Sequence, residues 1–233
     1  MSVRAALIVA LLFIPLLVAL GLWQLQRADE KQAVLLKQEL RATAAPVEFA
    51  VLENLERSNS EFLRVIVAGH YDVKKSMLLD NRVRHGRVGY EVPTPFLTDG
   101  GEWVLINRGW IPAERSRAQM PQFSTPTERV VLEVHVAPEP RRKADLQVAG
   151  ADWPKVIQQL DILAARPIVD LPLLKVELRL SPGEVSAFDA QWPAINMKPE
   201  KHTAYAVQWF ALAALLMLLL LRAVWRNNVE RNK

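Results

Sequence analysis

The sequence predicts an α+β membrane protein in which two transmembrane helices, one near each terminus, flank a single mainly antiparallel β domain with one or two helices. Two observations favour this class. Residues 5–23 and 203–221 are almost wholly apolar and carry no charged side chain. Between them, several segments alternate apolar and polar residues, which is typical of half-buried strands. The chain has no cysteine, so disulfide bonds and thiolate metal sites are excluded.

The two apolar segments have the length that a membrane span requires. At about 1.5 Å rise per residue, each helix would reach roughly 28 Å, close to the ~30 Å hydrocarbon core of a bilayer. Pro15 lies within the first segment, where a membrane helix tolerates it. A cleaved signal peptide is the alternative for this segment. The single Arg4 before it and Trp23 at its end favour an uncleaved anchor.

Charges next to the spans predict the orientation. The basic residues Arg222, Arg226, Arg231 and Lys233 follow the second span against one acidic residue. By the positive-inside rule, both tails (1–4 and 222–233) are expected in the cytoplasm, and residues 24–202 in the periplasm. No Arg-rich and Ser-rich transit peptide precedes the first span, which favours a multi-pass protein of a bacterial inner membrane.

The segment between the spans is expected to fold as one domain. Residues 24–45 are rich in Glu, Lys, Gln and Leu and predict a helical stalk that ends before Pro46. The turn signal Asp99-Gly100-Gly101 predicts a hairpin, and residues 154–165 predict a short helix. The expected strands, including the two of the hairpin, are 63–67, 90–97, 103–111, 130–136 and 175–180.

Composition and motifs exclude several functions. The net charge is only +4, and no basic block interleaved with aromatic residues follows the first span, so nucleic-acid binding is not expected. The sequence lacks a G-x-S-x-G elbow, a Gly-rich phosphate loop and an H-E-x-x-H motif, which predicts that the protein is not an enzyme. No two of the four histidines have the spacing of zinc ligands. His135 is expected to be solvated on the polar face of its strand.

His202 lies at the start of the second span. In a helix it shares one face with Tyr205, Ala206 and Trp209 by spacings of three, four and seven residues. A neutral imidazole beside aromatic side chains is what an axial haem ligand needs. The same pattern also fits an interfacial histidine that anchors the end of the helix.

Two Asn-Arg steps occur within the predicted β domain, at Asn81-Arg82 and Asn107-Arg108. Arginine pairs with carboxylates through two parallel hydrogen bonds, so Arg82 and Arg108 could meet acidic groups such as haem propionates. The alternative is that they satisfy backbone carbonyl groups at strand ends.

Six strings in a fixed order resemble the Surfeit-locus (Shy-type) family of cytochrome c oxidase assembly proteins. They are GLWQLQR at 21–27, GHY at 69–71, LDNR at 79–82, GRVGYEVPTP at 86–95, VLINRGWIP at 104–112 and HTAYAVQWF at 202–210. The resemblance runs along nearly the whole chain and is most similar to bacterial members.

The resemblance implies a non-enzymatic assembly factor for the haem-copper terminal oxidase that binds haem a and aids its insertion into the catalytic subunit. The expected partners are that subunit, the haem a synthesis machinery and membrane lipid. His202 is the implied ligand of the haem iron. The candidate cofactor-binding residues are His202, Tyr205, Trp209, Trp23, Arg82 and Arg108. The alternative is a cofactor-free membrane scaffold that stabilises an oxidase assembly intermediate.

Overall fold

The computed structural model describes residues 3–116, 119–138, 148–149 and 152–231. The chain divides into two compact units. One contains the two ends of the chain, Met1–Gln38 and Pro193–Lys233, and the other contains Glu39–Trp192. We call them the helix unit and the β unit and describe each by itself.

The helix unit consists of two long helices, α1 (Val3–Thr43) and α4 (Pro199–Arg231). Helix α1 runs without a break through the first apolar segment, past Pro15, and along most of the predicted stalk. Within the described residues, Leu7–Thr43 and Pro199–Val229 are long and apolar enough to cross a membrane. The prediction of two long apolar helices, one near each end of the chain, is confirmed.

One face of each helix is the least exposed, and we call these faces the seam. On both helices the seam positions recur every three or four residues, as in a heptad pattern. The buried members are all small, which lets helix backbones approach closely. At Gly21 a Cβ atom would lie 2.5 Å from the ring of Phe210 on α4. The seam comprises Ala10, Ile14, Leu17, Gly21, Gln24 and Ala28 on α1, and His202, Ala206, Trp209, Ala213 and Leu216 on α4.

Within the described residues, the β unit is built on one sheet of nine strands. The strands are β1 (Val47–Glu48), β2 (Arg64–Tyr71), β3 (Met77–Arg84), β4 (Arg87–Thr98), β5 (Trp103–Pro112), β6 (Val130–Val136), β7 (Val148–Ala149), β8 (Lys155–Ile157) and β9 (Leu173–Leu180). A 3₁₀ helix (Phe49–Asn54) and two short α-helices, α2 (Arg57–Ser60) and α3 (Ile162–Val169), complete it.

Five of these strands close into a ring. The sheet order is β1-β2-β6-β9-β5-β4-β3-β8-β7, and β2 also pairs with β4. Closure occurs at Gly69, which pairs with Val130 of β6 on one side and with Thr98 of β4 on the other. The ring is filled by alternate apolar side chains of its strands, among them Val65, Phe96, Val104, Ile106, Leu132, Val134, Leu178 and Leu180, all fully buried.

The sheet is mixed, so the prediction of a mainly antiparallel domain is wrong. The pairings β1–β2, β3–β8 and β5–β9 are parallel. Parallel neighbours need a crossover connection, and helix α3 provides one just before β9. Alternation of apolar and polar residues identifies a strand but does not report the direction of its neighbour.

The hairpin prediction is confirmed, because β4 and β5 pair antiparallel around residues 99–101. The helix predicted at 154–165 is wrong. Lys155–Ile157 forms β8, and the helix begins only at Ile162. Asp161 caps this helix, since its Oδ1 accepts the backbone N–H groups of Leu163 and Ala164. Ile157 is fully buried against β3, and this packing outweighs the helical spacing of the apolar residues.

We expect Gly69→Ala to weaken ring closure. A Cβ atom there would lie 2.0 Å from the carbonyl oxygen of Leu97, so two paired backbones would have to separate. The free energy of unfolding should fall by about 2–3 kcal/mol, as for other overpacked sites. Gly86→Ala is the control for backbone strain alone, because its φ is also positive (+73°) but nothing lies within 4 Å of its Cβ position, so it should cost less than Gly69→Ala. Urea unfolding of both variants measures this, and equal midpoints would contradict the assignment.

Candidate functional site

The first candidate site is the pair of polar residues in the seam. His202 lies in the first turn of α4 and is half-buried. Its Nδ1 atom lies 2.8 Å from Oε1 of Gln24 on α1. The hydrogen bond joins residues 178 positions apart in the chain and connects the first helix to the last.

This geometry fits a metal ligand. An amide oxygen can only accept a hydrogen bond, so the Nδ1 atom facing Oε1 donates its proton. The other ring nitrogen, Nε2, then keeps a lone pair. Metal-binding histidines are usually held in this way, with the second ring N–H bonded to a protein acceptor. The donor set at His202 therefore suits a haem iron.

The remaining predicted residues of the helix unit divide between the seam and the outer surface. Ala206 is fully buried and Trp209 is half-buried, so both share the seam with His202. Tyr205 is 46% exposed and Trp23 is 51% exposed, so both lie off the seam. Their roles in cofactor binding stay predictions.

Gln24 was missed by the sequence analysis. It stands inside the string at 21–27, but no role was assigned to it. The signal was its position, because residues 10, 14, 17, 21, 24 and 28 repeat with heptad spacing and only Gln24 among them is polar. Its partner became apparent only when the structure brought α4 beside α1.

Arg108 lies on β5 and is only 1% exposed. Its guanidinium donates hydrogen bonds to the carbonyl oxygens of Ser124 and Ser186 and to Oγ1 of Thr125. It also lies over the rings of Tyr71 and Phe188, at 5.2 and 4.5 Å from their centroids. Burial lowers the pKa of this guanidinium. Arg108 therefore connects two loops to β5, which matches the carbonyl-satisfying alternative.

Arg82 differs from Arg108, although both follow an asparagine. Its side chain is 41% exposed, and its Nε atom lies 3.9 Å from Oε2 of Glu91. Nε itself is buried and has no hydrogen-bond partner. Of the two motif arginines, Arg82 is the one whose side chain is partly exposed.

Asn107, the other half of the second Asn-Arg step, belongs to a band of charged and polar side chains across the sheet. Its Nδ2 atom donates to Glu91 of β4 at 3.0 Å and to Glu177 of β9 at 3.2 Å. Trp192 covers the band, with the guanidinium groups of Arg84 and Arg179 at 5.4 and 4.9 Å from its ring centroid. The hydrogen bonds of this band therefore link strands β4, β5 and β9 to one another.

His135 lies in this band, and the prediction that it is solvated is wrong. It is half-buried, and its ring meets that of Trp192 edge to face at 6.2 Å. Burial, together with the positive charge of Arg179, lowers the pKa of His135 to about 4. Alternation placed it on the polar face of β6, but it could not show that Trp192, 57 positions later in the sequence, covers that face.

We expect Arg108→Lys to destabilise the β unit. An ammonium group is a single point and cannot reach acceptors in two loops at once, so buried carbonyl groups would lose their donors. The free energy of unfolding should fall by about 2 kcal/mol. Arg82→Lys is the matched control and should change it little. If both variants unfold at the same urea concentration, Arg108 does not hold the loops.

The pKa of His135 predicts a pH dependence. Between about pH 6.5 and pH 4 the unfolded chain takes up a proton that the folded state excludes, so lowering the pH favours unfolding. The loss should reach roughly 2–3 kcal/mol near pH 4. His135→Gln should remove this component, while His85→Gln, at an exposed residue, should keep it. Unfolding free energies at pH 7 and pH 4 measure it, and equal pH dependence in both variants would contradict it.

Comparison with known proteins agrees with the resemblance carried by the six strings. The family model described as "SURF1 family" matches residues 11–214, which include most of α1, the whole β unit and the first half of α4. This confirms the resemblance inferred from the six strings.

Individual relatives agree. A "SURF1-like protein" of Rickettsia bellii is 28% identical over 93% of this chain and 89% of its own length. "Surfeit locus protein 1" of Rattus norvegicus is 27% identical over 94% of this chain and 76% of its own length. "Cytochrome oxidase assembly protein SHY1" of Saccharomyces cerevisiae is 30% identical over 57% of this chain and 36% of its own length. The chain therefore belongs to the SURF1 family.

Proposed function

We propose that this protein is an assembly factor for the haem-copper terminal oxidase, cytochrome c oxidase, and that it binds haem a and aids its insertion into the catalytic subunit. The assembly role is supported by the family and by the name of the yeast relative. The haem role is carried by one observation, the hydrogen bond from Nδ1 of His202 to Gln24, which leaves Nε2 free.

Haem a is cargo in this proposal, and the residues of the helix unit hold it. His202 ligates the iron through Nε2. Ala206 lies one turn along the same face and is fully buried in the seam. Trp209, Tyr205 and Trp23 offer flat aromatic surfaces to the macrocycle. When bound, the haem supplies an iron centre and a conjugated ring, and the chain supplies the ligand and an apolar surface that excludes water.

Arginines are the candidates for the propionates. The side chain of Arg82 is 41% exposed. The donors of Arg108 already bond within the β unit, so Arg82 is the stronger of the two candidates. The proposed partners are the oxidase catalytic subunit and the haem a synthesis machinery.

The proposed location is the bacterial inner membrane, with both termini in the cytoplasm and residues 24–202 in the periplasm. The basic residues of the tail at 222–233 support this orientation. A membrane location is supported by the two helices, which are long and apolar enough to cross a bilayer.

A cofactor-free scaffold is the second candidate function. It is favoured by the tip of the β3–β4 hairpin, where Val83 and Val88 pair across the strands and are 64% and 47% exposed. Such exposed apolar residues are suited to contact another protein. The two functions differ in whether pigment accompanies the purified protein.

We expect His202→Ala to lose haem. The protein is co-expressed with the haem a synthesis enzymes and purified, and haem absorbance per polypeptide is measured. The variant should retain less than about a tenth of the wild-type pigment, because one protein ligand to the iron is removed. His85→Ala, at an exposed histidine of the β unit, is the control and should keep it.

Equal pigment in wild type and His202→Ala would reject the ligand assignment. Co-purification of the oxidase catalytic subunit with a colourless wild-type protein would favour the scaffold. In a strain that lacks the chromosomal copy, wild type should restore oxidase activity and the haem a spectrum, and His202→Ala should not.

A further inference from the structure

The seam contains one hydrogen-bonded pair of side chains, Gln24 and His202, among the positions that define it. The buried positions around them are Ala or Gly, for example Gly21, Ala28 and Ala206. Neither of the two polar side chains therefore has a competing partner from those small residues. Their bond is the interaction that satisfies Nδ1 of the imidazole.

We propose that Gln24 is a positioning residue, which holds the neutral imidazole of His202 with its proton on Nδ1 and so keeps Nε2 free to bind the haem iron. This inference rests on the proposed haem function. The ligand assignment alone does not explain why Nε2 is available before haem arrives. The hydrogen bond to Gln24 supplies that explanation.

The chemistry of the glutamine amide makes this selection possible. Its oxygen accepts a proton from the ring, whereas its NH₂ group would donate one to the ring. In the structure the oxygen faces Nδ1, at 2.8 Å. In the opposite orientation Nδ1 would accept, the ring proton would lie on Nε2, and no lone pair would remain for a metal. The hydrogen bond at one ring nitrogen thus decides the state of the other.

A purely structural role is the competing explanation. Polar side chains that bond across a helix pair can also fix register and hold the helices together. Such a role depends on the presence of the bond, not on which atom carries the proton. The test therefore needs a measurement of the proton position, made without haem.

The first experiment measures the tautomer in the haem-free full chain. The protein is labelled with ¹⁵N-histidine and held in detergent micelles above pH 7.5, and long-range ¹H–¹⁵N spectra report which ring nitrogen is protonated. The chain has only four histidines, so His202→Ala identifies the signal. We expect the proton on Nδ1.

Three variants separate the explanations. Gln24→Met has a similar length without an acceptor, and the ratio of the Nδ1–H to the Nε2–H tautomer should fall roughly two- to tenfold, as one hydrogen bond is lost. Gln24→Glu keeps an acceptor and should keep the Nδ1–H form. Gln26→Met, at an exposed position of α1, is the control and should match wild type.

The second experiment adds haem b as the probe and titrates the same variants by absorbance. Loss of a partner behind a metal ligand typically weakens metal binding by about 10–100-fold, so Gln24→Met should bind the probe at least tenfold more weakly. Gln24→Glu should bind it close to the wild-type affinity.

The outcomes distinguish this inference from the proposed function. A proton on Nε2 in wild type, or an unchanged tautomer ratio in Gln24→Met, would overturn the positioning role. Equal probe affinity in wild type and Gln24→Met would overturn it as well, while leaving His202 as a ligand. If wild type binds no haem but the tautomer follows Gln24, the haem function fails and the selection of the ring proton stands.

Discussion

Closure of the five-stranded ring is the constraint on which the β unit depends. The chain has no disulfide to limit the unfolded state, so its stability comes from what the ring encloses. Closure requires β2 to change partner from β6 to β4 within one strand, and Gly69 is where it does so. Fully buried side chains from all five strands meet inside. A side chain at this point would separate the strands and open that core.

Strand β5 shows how two adjacent residues of one short motif can serve different purposes. Adjacent residues of a strand point to opposite faces, so Asn107 and Arg108 serve different sides of β5. Asn107 connects β4 and β9 through their glutamates, and Arg108 holds the loops at 124–125 and 186. A recognisable string can therefore reflect the architecture of the domain, and its arginine does not have to meet a cofactor.

Sequence patterns predicted individual helices and strands better than they predicted strand pairing and side-chain contacts. The two long helices follow from uncharged length, and the β4–β5 hairpin follows from Asp99-Gly100-Gly101, since both signals are local. The parallel pairings of β8 with β3 and of β9 with β5 depend on where long connections return to the sheet. No local pattern encodes this. His202 could be selected from its place on the second span. Gln24 and Trp192 could not be given their partners, because those contacts arise only from packing.

The contact between Gln24 and His202 also has a consequence in time. Protein synthesis proceeds from the amino terminus, so Gln24 leaves the ribosome roughly 10 to 35 seconds before a residue 178 positions later, at 5–20 residues per second. For that interval the nascent chain has the first half of the pair and no second half. The pair is completed only when α4 has been made, so a chain that terminates before α4 carries the β unit without it. A cargo that needed His202 could therefore be loaded only after α4 has been made.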